Sequence, residues 1–255
     1  MNYELLVNTA VLAGEIMLSG GAETYRVEDT ICRMLRMSGL AVAETIATTT
    51  GIYVTLSDES INTITFNKRV SVRSTNLAKI YEVNEVSRGF CSNQITLEEA
   101  NEKLRAIAKG QTYRRPVIYL CMIITSAFFT VLYGGNAVDF AIGALNGGIL
   151  ALISFLFSKV RVNLFIYNMI SALLVTISSA IFLKYFPADI HITILLSGSI
   201  TPLVPGVAIT NAIRDTFQGD YMSGGARAIE AFVAATAISV GVGVGLAMLR
   251  VYAMI

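Results

Sequence analysis

From Pro116 to the end of the chain, 140 residues carry only 11 of its 37 charged Lys, Arg, Asp and Glu side chains. A segment so poor in charge has no polar face to show to water, so it must be buried in protein or lie in lipid. It resolves into runs of about 17 to 23 mainly apolar residues, at about 117–133, 137–158, 163–184, 190–212 and 227–249, each near the roughly 20 residues that cross a hydrocarbon core. Glycines in "IGALNGG" and "SVGVGVG" weaken a helix in water but allow close approach between helices in a membrane. The chain is 54% hydrophobic, and 26 of the 37 charges crowd into residues 1–115. That asymmetry divides it into a polar domain, 1–115, and a membrane domain, 116–255.

The polar part changes period along its length. Residues 3–19 place Leu5, Leu6, Ala10, Leu12, Ala13, Ile16 and Met17 at helical spacing; this start lacks a basic n-region and reads as an amphipathic helix rather than a secretory signal. Ser19–Gly21 ends it, and a second helix over about Ala22–Met37 carries Val27, Ile31, Met34 and Leu35 on one face. Its other positions, among them Glu23, Arg26, Glu28, Asp29 and Arg33, read most simply as a solvated face with helical ion pairs. "AVAETIATT", "GIYVTLS" and "INTITF" then alternate as a three-stranded meander, with "RVSVRS" a candidate fourth strand. Two helices follow, the second opened by a Thr96/Glu99 capping box and closed at Gly110. The expected fold is an α+β cytoplasmic domain followed by an α-helical polytopic membrane domain of about five transmembrane helices.

Several chemistries are excluded by supply. Cys32, Cys91 and Cys121 lack metal spacing and His191 is the only histidine, so no metal site, no cofactor and no Ser/His or Cys/His catalytic machinery is expected. No basic tail or aromatic-basic stripe suggests nucleic acid. Orientation follows from the basic residues. With residues 1–115 in the cytoplasm, the inside segments hold Arg114, Arg115, Lys159, Arg161, Arg214 and Arg227, against Lys184 and Arg250 outside. This places the N-terminal domain in the cytoplasm and the C-terminus outside.

The chain breaks its own rule once, in "TPLVPGVAITNAIRDTFQGDYMSGGARAIEA" (Thr201–Ala231). Pro202, Pro205 and Gly206 interrupt the fourth span, and irregular backbone survives at membrane depth only against protein or a water-filled cavity. A half-helix restarting at Pro205 would aim free N–H groups at an anionic substrate group, making Pro205, Gly206 and Asn211 substrate-binding candidates. A proline kink without a ligand is the competing reading. Downstream, Arg214, Asp215, Asp220, Arg227 and Glu230 are candidates for proton coupling or ion pairing. Asp215 and Glu230 are the acids expected at membrane depth, with Arg214 and Arg227 as counter-charges; an ordinary cytoplasmic loop with solvated charges is the competing reading.

Two stretches resemble one known family. "SGGAETYRVEDTICRML" (Ser19–Leu35) is similar to the N-terminal signature of the threonine/serine exporter family, and "PGVAITNAIRDTFQGDYMSGGARAIEA" (Pro205–Ala231) to its membrane signature. The resemblance, which covers most of the chain, implies a proton-driven secondary exporter of small metabolites in the inner or plasma membrane: threonine and serine in some members, succinate in others. Single-chain members are about twice as long, and this chain resembles the larger subunit of split members, whose partner is a smaller membrane protein. The resemblance marks Gly21, Ala22, Glu23, Thr24, Arg26 and Glu28 in the first motif. In the second it marks Pro205, Gly206, Asn211, Arg214, Asp215, Gly219, Asp220, Gly224, Arg227 and Glu230. Their roles are read from the residues themselves: the first motif, on a cytoplasmic helix, could dock near Arg214 and Arg227. The rival functions are a membrane-anchored regulatory or scaffold protein, which needs only featureless anchors, and an intramembrane enzyme, for which a single histidine is a poor supply.

Overall fold

A computed structural model describes residues 2–71, 74–110, 113–158, 162–186 and 189–253, with side chains described as far as Met248. The candidate fourth strand falls partly on Val72 and Arg73, outside the described residues, as do Lys159, Arg161 and the side chain of Arg250. The chain divides into two compact units: Met1–Thr112 with Gly206–Ile229, and Tyr113–Pro205 with Glu230–Ile255.

The first unit opens with α1 (Tyr3–Ser19) and α2 (Thr24–Arg36). Instead of an amphipathic surface helix, α1 is buried on almost every side, from Leu6, Val7, Ala10 and Val11 to Ile16, Met17 and Leu18. The reason is its position: α2, α3, α4 and the sheet all pack around it. The sheet is an antiparallel meander of β1 (Val42–Thr48), β2 (Gly51–Asp58) and β3 (Ile61–Arg69), in the order β1-β2-β3. Thr48 faces Gly51 across the first turn, and a register shift at Leu56/Asp58 twists the second pair. The alternation of β2 works as period two requires: Ile52, Val54 and Leu56 are buried, and Tyr53 is exposed. Then come α3 (Leu77–Cys91) and α4 (Leu97–Lys109), the latter with the reciprocal Thr96/Glu99 capping box. Gly21 turns the chain between α1 and α2 at φ +87°, backbone that an L side chain resists. Ser74 and Asn76 N–H groups donate to the Ser19 and Gly20 carbonyls and hold that turn in place. The same unit includes α9 (Gly206–Phe217) and the first turns of α10 (Tyr221–Ala253).

The second unit is helical. It contains α5 (Arg115–Leu132), α6 (Ala137–Phe157), α7 (Leu164–Tyr185) and α8 (Ile192–Ile200), then a 3₁₀ turn at Thr201–Leu203 and the rest of α10. Among the described residues, four helices, α5, α6, α7 and α10, are long and apolar enough to span a membrane. A fifth span is counted if α8 with its 3₁₀ turn and α9, separated by Val204–Pro205, are taken as one. Phe128, Leu132, Leu152, Leu156 and Ile181 are exposed, a surface that suits acyl chains and not water. Inside, several buried polar atoms bond to one another. Asn146 Nδ2 donates to the Ser179 and Ser199 hydroxyls at 2.9 Å each, and Ser126 Oγ donates to the Ser199 carbonyl. Gly198 lies so close to the Thr130 main chain that a methyl group there would overlap it, so α8 sits directly on α5.

Candidate functional site

The site lies within the first unit, where the turn after α1 meets α9 and the start of α10. Its logic begins with the N-terminus of α2. The first N–H groups of any helix lack intrahelical acceptors and carry partial positive charge. Glu23 stands at the N-cap position, but its side chain makes no capping bond. The acceptor comes from elsewhere in the chain: Asp215 Oδ1 accepts the Thr24 N–H at 3.0 Å, and Oδ2 accepts its hydroxyl at 3.3 Å. A carboxylate at a helix N-terminus satisfies an orphan donor and meets the helix dipole with the favourable sign.

Asp215 is itself held. Arg227 Nε lies 3.0 Å from Asp215 Oδ2, with side-chain exposures of 9% and 0%. The Arg227 Nη2 donates on to the Ala22 carbonyl at 2.6 Å. Asn211, one turn before Asp215, donates its amide to the Gly21 carbonyl at 2.7 Å. The backbone of Gly21–Thr24 is therefore gripped at three successive points by side chains of α9 and α10. The grip depends on the left-handed Gly21, which turns the Gly21 and Ala22 carbonyls toward those donors.

Arg214 and Asp215 are adjacent, but successive positions on a helix point about 100° apart, so they serve different partners. Arg214 donates to Glu23 Oε1, while Arg26 reaches Glu23 Oε2 at 3.3 Å. Glu23 is only 4% exposed, which corrects the solvated-face reading for this residue. Burial, the largest influence on its carboxyl, raises its pKa; its own backbone N–H and the two guanidiniums outweigh that and leave it below the ordinary 4.5. Glu28 accepts the Ala47 N–H at 2.8 Å and ties α2 to β1. Burial pushes its carboxyl above the ordinary range despite that bond. Asp29 and Arg33 form the simple helical ion pair the sequence suggested, at 2.9 Å.

Beside this grip runs an open cleft of about 540 Å³, within the range of small-molecule sites. One wall is the start of α9, with Gly206, Thr210, Asn211 and Arg214; the other combines Gly21, Glu23 and Arg26 with Tyr81 and Asn84 of α3. The free N–H groups of the first turn of α9, together with Arg26 and Arg214, set two cations and a positive helix end against one buried carboxylate. That balance favours an anion.

The remaining candidates fall outside this grouping. Pro205, the residue before α9, belongs to the second unit, as does Glu230. The Asp220 carboxylate accepts the Ser223 N–H at 3.2 Å and so caps α10. Missed from the sequence were the Ala22 carbonyl, Tyr81 and Asn84. The one available signal was at Glu23, a weak N-cap residue at the head of a long helix, which implies an acceptor brought from elsewhere.

The fold and the site together define a multi-pass membrane protein in which a signature turn of the α+β part is fastened by charged side chains to the helix after a span break. The chain belongs to the family described as "Putative threonine/serine exporter", which it matches over residues 8–249; this is a family of transporters and not of enzymes. It is 24% identical over 260 residues to the threonine/serine exporter of Corynebacterium glutamicum, covering 94% of this chain and 50% of that protein. It is 22% identical over 246 residues to the "Probable threonine/serine exporter" of Mycobacterium tuberculosis, covering 93% of this chain and 45% of the other. The chain thus spans about half the length of these exporters. Against the "Probable succinate transporter subunit YjjP" of Klebsiella aerogenes it is 24% identical over 232 residues, 91% of this chain and 89% of that one. No solved structure matches it significantly.

Proposed function

We propose that the chain is the larger subunit of a two-component, proton-driven secondary exporter of small carboxylate-bearing metabolites, either threonine/serine-type amino acids or a dicarboxylate such as succinate. The observation that carries this is the grip of Asp215, Arg227 and Asn211 on Gly21–Thr24 beside an anion-favouring cleft. Half the length of the single-chain exporters, and nearly the full length of a protein named as a subunit, support a second, smaller membrane subunit as partner. The basic-residue bias supports a cytoplasmic α+β domain and an outer C-terminus, and the cleft would then open to the cytoplasm.

In this reading substrate and proton loosen the same grip. A substrate carboxylate binds at Gly206, Asn211 and the Arg214 guanidinium, competing with Glu23 for Arg214. A proton on Asp215 removes the charge that holds Arg227 and caps α2. Both events release α9 from the signature turn, so substrate exit and proton uptake share one conformational step. A scaffold protein needs neither a charged grip nor a cleft.

Asp215→Asn tests this. It keeps the shape and the Thr24 hydrogen bond but cannot titrate. With the second subunit in proteoliposomes, it should abolish proton-driven efflux while part of the substrate exchange survives. Efflux with unchanged pH dependence would remove Asp215 from the coupling step and leave Glu230 as the acid to test.

A further inference from the structure

The second unit holds a titratable group outside the grip just described. Asp139, in the first turn of α6, is 0% exposed. Its Oδ1 accepts the His191 backbone N–H at 3.0 Å, and its Oδ2 lies 2.9 Å from His191 Nδ1 and accepts the Asn136 N–H at 3.1 Å. Asn136 Nδ2 in turn donates to the Asp189 carbonyl at 2.7 Å. The segment leading into α8 is thereby stapled to the head of α6.

Helix capping alone does not explain this arrangement. Asn136 already caps α6 through its own side chain, accepting the Val138 and Asp139 N–H groups, and a cap needs neither complete burial nor an imidazole. The exposures are graded instead: the Asp189 side chain is 84% exposed, that of His191 43% and that of Asp139 0%. His191 Nε2 lies 3.8 Å from Asp189 Oδ1, so the chain's only histidine stands between a wet carboxylate and a dry one. Apolar Ile142, Ile190, Leu195 and Phe182 pack alongside. Among the described residues, the one further charged group acting on the pair is Asp189.

We propose that His191 and Asp139 form a proton-binding site at the heads of α6 and α8, loaded from solvent through the exposed edge of the imidazole. Under the topology proposed above it faces the outside, the side from which an export-driving proton arrives; its role in export rests on that reading, while its existence rests on the geometry alone. With His191 protonated, an imidazolium–carboxylate pair clamps the α8 segment to α6. With His191 neutral, Asp139 keeps its charge with hydrogen bonds only, and the clamp weakens. The two carboxylates raise the imidazole pKa above the ordinary 6.5, the Asp139 hydrogen bond contributing most. The clamp is therefore complete below that value and is lost as the pH rises through the raised one.

A single histidine makes the test direct. The full chain, labelled with ¹³C/¹⁵N-histidine in detergent, gives one imidazole to titrate by NMR. It should titrate above the ordinary value, and Asp139→Asn should lower it toward that value. His191→Gln, which can still donate to Asp139, guards against misfolding of the first variant. In proteoliposomes with the second subunit, it should remove the dependence of export on outside pH. An imidazole that titrates at its ordinary value and does not respond to Asp139→Asn overturns the site, whether or not export is seen. A raised titration combined with export by His191→Gln that still follows outside pH overturns its role. Absence of export by the wild type counts against the exporter reading and leaves the NMR result to decide the site.

Discussion

Asp215 and Arg227 form a pair at 3.0 Å with 0% and 9% side-chain exposure, and removing both should cost clearly less than the sum of removing each. Arg227→Met leaves the Asp215 carboxylate buried without its counter-charge; Asp215→Leu removes the carboxylate that a buried guanidinium pairs with. Breaking a buried pair from one side typically costs about 3–5 kcal/mol, a factor of roughly 10² to 4 × 10³ in the folding equilibrium at 1.4 kcal/mol per decade. The double variant loses the attraction but strands no charge. What it forfeits is the acceptor of the Thr24 N–H and the donor to Ala22, about 1–3 kcal/mol for a polar group left unsatisfied. The double variant should therefore be less destabilised than the sum of the two singles by about 2 kcal/mol or more. Equilibrium unfolding of the purified chain in detergent gives the cycle. Hydrogen exchange gives a local reading, because Thr24 begins α2 and its amide has no helical acceptor. Loss of Asp215 should speed exchange there about 10- to 150-fold, as expected for a hydrogen bond to a charged group. If the three variants add within about 0.5 kcal/mol, as independent sites do, and the Thr24 amide exchanges at its wild-type rate, the grip is not what holds this turn.

Three further expectations follow from particular residues. Gly198→Ala should overlap the Thr130 main chain and cost about 1–3 kcal/mol by overpacking, read as a lowered melting temperature in detergent; unchanged melting would mean that α8 does not sit on α5. The Glu23 carboxyl lies below its ordinary 4.5, so its contribution is present above that value and lost as pH falls through the lower one. Glu23→Gln should therefore weaken the first unit at neutral pH and flatten its response to acid, with an unaltered melting-versus-pH curve as the contrary result. A cysteine placed in the 134–136 loop of an otherwise cysteine-free chain should react with an impermeant thiol reagent in whole cells. Labelling at residue 60 instead would reverse the orientation.

Much of the fold was legible because its signals are local. The alternation of Ile52, Val54 and Leu56, the Thr96/Glu99 capping box and the apolar runs from Pro116 onward each act within a few residues. The all-round burial of α1 was not legible, since its heptad-scale pattern says which residues prefer burial and not how many neighbours surround it. At the site, the sequence marked Asp215, Arg214 and Arg227 as charges too costly to be idle in an apolar region. It could not say that Arg214 serves Glu23 and Arg227 serves Asp215, because those pairings span separations of 191 and 12 residues and depend on which way α9 turns. Asp139 and His191, 52 residues apart, went unpaired for the same reason: each sits in an apolar context that gives no hint of its partner.

On the proposed function, this chain exports only in company. The direct measurement is efflux of radiolabelled threonine, serine and succinate from proteoliposomes under an inward proton gradient. The purified chain is tested alone, the smaller subunit alone, and the two together. Efflux of at least one of these carboxylates is expected from the two together, abolished when the gradient is collapsed, and none above empty liposomes from either alone. Robust efflux from this chain by itself, or none of any of the three from the pair, would contradict it.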